Sequence, residues 1–112
     1  MTEKQPWRVV TPYRPSNPDP ISVRAGDVLI VGKEDIEYPG WVWCEGPDGR
    51  RGWVPTDCVD NSRALYDYTA VELLVSEGEL LLLIEEKNAW AFCTNEEGEQ
   101  GWLPVANLKR AE

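Results

Sequence analysis

Six tryptophans and four tyrosines are the side chains of this 112-residue chain whose type and spacing bear on chemistry. Trp41-Val42-Trp43-Cys44 alternates large aromatic with small apolar residues, and Trp90-Ala91-Phe92-Cys93 repeats the alternation. Flat aromatic rings do non-covalent work: they accept apolar ridges such as pyrrolidine rings and offer a polar edge to a ligand carbonyl. Glu34, Asp35 and Glu37 lie near the first pattern, and Glu72, Glu96 and Glu97 near the second. Such carboxylates would pair with a basic ligand residue and set its orientation.

Covalent chemistry is poorly provided for. The chain has no His, which removes the commonest general base and metal ligand and every Cys-His or Ser-His-Asp arrangement. Cys44, Cys58 and Cys93 are too dispersed, without His, for a zinc site. Cys44 and Cys93 share a core-facing repeat position and read as inert buried thiols. Cys58, shortly after Pro55, is expected to be more exposed. No enzyme activity, metal or cofactor is expected.

Twenty acidic against eleven basic side chains leave a net charge of -9. That is the wrong sign for binding a phosphate backbone, though it also reads as an ordinary solvating surface. No apolar run approaches the ~20 residues of a membrane span. Met1-Thr2-Glu3-Lys4-Gln5-Pro6 lacks the apolar core of a secretory signal. Three Cys cannot all pair internally, so a reduced, cytoplasmic setting is expected.

The elements that position the aromatics come in two copies. Trp41 to Cys44 and Gly52-Trp53-Val54-Pro55 both reappear 49 residues later, the latter as Gly101-Trp102-Leu103-Pro104. Ala25 to Ile30 matches Glu77 to Leu82 at an offset of 52, and Arg8 and Tyr13 match Arg63 and Tyr68 at 55. The reading is a tail, residues 1–6, and two units, 7–60 and 61–112, joined near Asp60-Asn61-Ser62. So short a linker would hold the units in a fixed arrangement. Alternating patterns predict strands, with Gly49 and Gly98 in hairpin turns of positive φ. Val71 to Ile84 has helix-forming composition, but its counterpart Val28-Leu29-Ile30-Val31 is β-branched and favours a strand. About five short strands per unit predict an all-β chain of two tandem small five-stranded barrels.

Ala64-Leu65-Tyr66-Asp67-Tyr68 resembles the opening motif of Src-homology 3 (SH3) domains, and Glu77-Gly78-Glu79, Trp90, Gly98 and Gly101-Trp102-Leu103-Pro104 follow in the family's order. Gly26-Asp27, Trp41, Gly49 and Gly52 to Pro55 make the first unit a more divergent relative. The whole resembles a tandem SH3 protein of bacterial type. The resemblance implies SH3-like barrels that bind proline-rich peptides. In the second unit it assigns Tyr66, Tyr68, Trp90 and Pro104 to the proline groove and Glu72 to the acidic position that meets a ligand Arg or Lys. Ala106-Asn107 replaces the family's Asn-Tyr pair, leaving Asn107 at the groove without the aromatic wall. In the first unit Tyr13, Trp41 and Pro55 match, Thr11 and Cys58 replace two tyrosines, and Pro20 takes the acidic position beside Asp19.

From the residues alone, Trp53 and Trp102 read as core, Trp41 and Trp90 as surface, and Tyr66 and Tyr68 as sharing one strand face on which one of them is core or both are surface. The expected function is an adaptor binding basic, proline-containing segments of protein partners, as a monomer or weak dimer. Two alternatives stay open: an accessory subunit packing on a larger partner, and a cage for methylated Lys or Arg built from Tyr38 and Trp41. Residues 1–60 carry -3 and residues 61–112 carry -6, which points the basic ligand at the second unit.

Overall fold

The computed structural model describes residues 5–111. The alternating patterns become strands: β1 (Pro6–Val9), β2 (Ser22–Val23), β3 (Ile30–Glu34), β4 (Trp41–Glu45), β5 (Arg51–Pro55), β6 (Val59–Asp60), β7 (Arg63–Ala64), β8 (Tyr68–Thr69), β9 (Leu80–Lys87), β10 (Trp90–Thr94), β11 (Gln100–Pro104) and β12 (Leu108–Arg110). Among the described residues the only helices are single 3-10 turns at Thr56–Cys58 and Val105–Asn107. Of the Val71 to Ile84 stretch, Leu80 to Ile84 lie in β9, as the repeat partner predicts, while residues 71–79 form a turn and isolated bridges. Gly49 and Gly98 turn the chain at φ +87° and +85°.

The chain packs as two compact units, but they are not the two repeats. One is contiguous, Asn17–Val71; the other is split, combining the segment that ends at Ser16 with the segment that begins at Glu72. The first repeat's opening strand, β1, therefore belongs with the second repeat's body. The second repeat's opening strands, β7 and β8, belong with the first repeat's body. The chain passes from one unit to the other at Ser16–Asn17 and again at Val71–Glu72.

In the split unit β1 lies between β9 and β12 in a sheet of order β11-β10-β9-β1-β12. Trp7 pairs with both Leu81 and Arg110 in antiparallel register, and the Arg110 guanidinium stacks 5.5 Å over the Trp7 ring. Val9 closes a core with Val75, Leu81, Leu103 and Leu108. In the contiguous unit β3, β4 and β5 form an antiparallel meander, β2 pairs with β8, and β6 pairs with β7. Ala64 takes the place in its core, among Val23, Leu29, Val54 and Cys58, that Val9 takes in the other.

Several expectations change as a result. Packing does not follow the boundaries 7–60 and 61–112. Asn61-Ser62 is not a linker between units: it is the tip of the β6–β7 hairpin, inside the contiguous unit. Both residues have positive φ, 50° and 59°, as a tight two-residue hairpin turn requires. Of the expected tail, residues 1–4 lie outside the described residues, and Pro6 begins β1. Cys58 is not exposed; its relative exposure is 0%, because the 3-10 turn after Pro55 turns it into the core. Cys44 and Cys93 are buried as expected, and burial pushes each thiol up to about 11, with Cys58 nearby adding to the effect at Cys44.

Candidate functional site

Each unit places a Trp at the start of a strand, a Pro directly across from it, and a Tyr delivered by the exchanged segment. In the contiguous unit Trp41 opens β4 and pairs with Pro55 at the end of β5, so the two share a sheet face. The Tyr68 ring lies against Trp41 with centroids 6.4 Å apart, and its hydroxyl donates to the Trp53 carbonyl at 2.9 Å. The Tyr66 hydroxyl donates to Asp57 Oδ1 at 2.6 Å, and the Cys58 thiol donates to the Tyr66 carbonyl. The Asp35 N–H donates to the Trp41 carbonyl at 2.8 Å, which brings the Glu34 to Glu37 carboxylates to the start of β4. Tyr38 is half-buried, and Asp19 is exposed beside the Asn17 side chain, which accepts its N–H.

In the split unit Trp90 opens β10 across from Pro104. Tyr13 meets Trp90 edge-on, with centroids 5.8 Å apart and planes at 84°. Tyr13 is held there by a two-way backbone pair with Val75, at 3.1 and 3.0 Å. Both rings are half-buried and so reach solvent. Glu72 Oε1 accepts the Ser16 N–H at 3.0 Å. The Asn107 amide donates to the carbonyls of Thr11 and Pro12 at 3.1 and 3.3 Å.

The set expected on the second repeat is therefore divided. Trp90, Pro104, Glu72 and Asn107 are brought together with Tyr13, whereas Tyr66 and Tyr68 go to Trp41 and Pro55. Trp41 is not a surface ring: it is 4% exposed, with Tyr68 packed on it. Pro55 and Pro104 are buried, Pro55 fully, because each ends a core strand and leads directly into a 3-10 turn. Asn107 ties down the chain that follows β1. Trp102 is buried at 5%, in line with a core reading, while Trp53 is half-buried and pairs edge-on with Trp43.

Two participants escape a repeat-by-repeat reading. Asp57 anchors Tyr66, and Asp67 accepts the Ala25 N–H at 2.9 Å. Their repeat counterparts are Ala106 and Pro12, which can make neither bond through a side chain. That mismatch was the available signal. Charge is also redistributed by the exchange. Asn17–Val71 carries ten acidic and five basic groups, net -5, and the remaining residues carry ten and six, net -4. The contrast of -3 against -6 between sequence halves disappears in the folded units.

Two small all-β units thus each carry a Trp–Tyr pair assembled from both repeats. Residues 6–62 match the family model described as variant SH3 domain, and residues 63–105 match that of the SH3 domain. The chain belongs to the SH3 family as a tandem SH3 protein. SH3 domains are non-catalytic protein-interaction modules that generally bind proline-rich peptides.

Proposed function

We propose that the groove around Tyr13 and Trp90 binds basic, proline-containing segments of cytoplasmic protein partners. The observation that supports it is the edge-on Tyr13–Trp90 contact at 5.8 Å, with both rings reaching solvent. The exposed parts of both rings offer apolar surface on which a pyrrolidine ring can pack, and a polyproline II segment arrives already extended, so ordering it costs little. Glu72, whose carboxylate accepts the N–H of Ser16, three residues beyond Tyr13, supplies a charge that a ligand Arg or Lys would meet. Affinity of about -8 kcal/mol, a micromolar dissociation constant, suits so shallow a site.

An amide-shift titration with basic proline-rich peptides tests this. Shifts should centre on Tyr13, Trp90 and Glu72, and Trp90→Ala should abolish them. Saturable binding that survives Trp90→Ala unchanged would remove the assignment.

A second reading fits the contiguous unit. Its Trp41 is buried and its Pro55 fully so, which favours a scaffolding role over peptide capture. Under that reading the unit copurifies with a larger partner and shows no shifts at Tyr66 or Tyr68 with any proline-rich peptide.

A further inference from the structure

We propose that the segment from β1 to Ser16 is an exchangeable strand, and that a second copy of this chain supplies it to the split unit in a reciprocal dimer. The segment and its repeat counterpart make the same type of contact, each in its own unit. Arg8 donates to the Gly78 carbonyl at 3.0 Å, and its counterpart Arg63 donates to the Gly26 carbonyl at 2.9 Å. These bonds are indifferent to which opening strand sits in which body.

Other contacts are not indifferent. Val9 fills a slot among Val75, Leu81 and Leu108, whereas the slot among Val23, Leu29 and Cys58 holds only Ala64. Placing Val9 in the smaller slot overpacks it, and placing Ala64 in the larger one leaves a cavity. Asn107 donates to the carbonyls of both Thr11 and Pro12, whereas the thiol of its counterpart Cys58 donates to one, that of Tyr66, the counterpart of Thr11. Tyr66 finds Asp57 only in the first repeat's body. Return of β1 to its own repeat would also set Tyr13 opposite Val23, across a hairpin containing Pro15, Pro18 and Pro20. Those prolines have no N–H for a ladder.

The sequence thus directs β1 to a body formed by residues 72–111, without specifying whose. Each crossing is a single strand, so a dimer that exchanges β1 reciprocally makes every contact the monomer makes. The two forms differ only in loop closure and concentration. The dimer carries two copies of each unit, which would raise avidity for a partner with repeated motifs.

The test uses the full chain in isotopically heavy and light forms. They are unfolded together, refolded at millimolar concentration, diluted to micromolar and weighed by native mass spectrometry. A heavy–light dimer should form at the statistical share of all dimers and persist for hours after dilution, because release of β1 requires opening its sheet. The same two chains mixed without unfolding should give none. Refolding to monomer alone at every concentration would overturn the proposal. So would heavy–light dimers appearing within minutes of native mixing, since that marks surface association.

Discussion

Tyr13 stands edge-on to Trp90, ring centroids 5.8 Å apart, although the two come from different sequence repeats. Tyr68, the repeat counterpart of Tyr13, instead lies against Trp41. Each aromatic pair is thus assembled from both repeats. Mutations should couple along these pairings, not along the linear order of the two family matches.

Ligand binding is the first place to see this. Tyr13→Ala should weaken peptide binding at the Trp90 groove at least tenfold, about 1.4 kcal/mol, in a fluorescence or amide-shift titration. Tyr68→Ala should leave the same groove within a factor of about two, less than 0.5 kcal/mol. The opposite ranking would be the outcome of repeats that fold independently.

Fragments should follow the compact units. Residues 17–71 contain β2 through β8 and the whole of one core, so this piece should give a dispersed amide spectrum and a cooperative melt. Residues 61–112 lack β1, which pairs with both β9 and β12. That fragment should give a collapsed, undispersed spectrum despite carrying a full SH3 match. Addition of a peptide spanning residues 5–16 should restore dispersion.

Backbone geometry yields two opposite substitutions. A Cβ on Gly101 would fall 2.7 Å from the backbone of Glu72 and Leu73, so Gly101→Ala should destabilise by more than about 2 kcal/mol. Ala89 adopts φ +72° in the β9–β10 turn, a region that costs a residue with a Cβ about 1 kcal/mol. Ala89→Gly should raise stability by up to that amount. Denaturant midpoints measure both.

The buried thiols make stability depend on alkaline pH. Cys44 and Cys93 are raised from 9 to about 11 by burial. The folded state holds these protons more tightly, so their contribution is intact below pH 9 and is lost as pH rises towards 11. Each thiol accounts for roughly 2 kcal/mol over that window. Denaturation at pH 8 and pH 10.5 should show the loss, and Cys93→Ala should roughly halve it, leaving the part due to Cys44. The thiol reagent 5,5′-dithiobis(2-nitrobenzoate) should react with them at the unfolding rate.

What was legible in the sequence was local. The 49-residue offset marks β4–β5 and β10–β11, the glycines at 49 and 98 mark their turns, and the paired positions of Cys44 and Cys93 mark the core face. The exchange was not legible, because β1 and β7 carry the same Arg and offer the same bond to either body. Discrimination rests on small differences: two methyl groups between Val9 and Ala64, an Asp at 57 against an Ala at 106, an Asn at 107 against a Cys at 58. These acquire meaning only when long-range partners are known. Reading Asn61-Ser62 as a linker failed for the same reason, since a hairpin tip and a short linker look alike until β6 and β7 are seen to pair.

The cross-repeat assembly of the grooves is tested most directly by ring-to-ring nuclear Overhauser effects in the full chain with selectively labelled Tyr and Trp. Cross-peaks from Tyr13 to Trp90 and from Tyr68 to Trp41 are predicted. Cross-peaks from Tyr68 to Trp90 and from Tyr13 to Trp41 would contradict it.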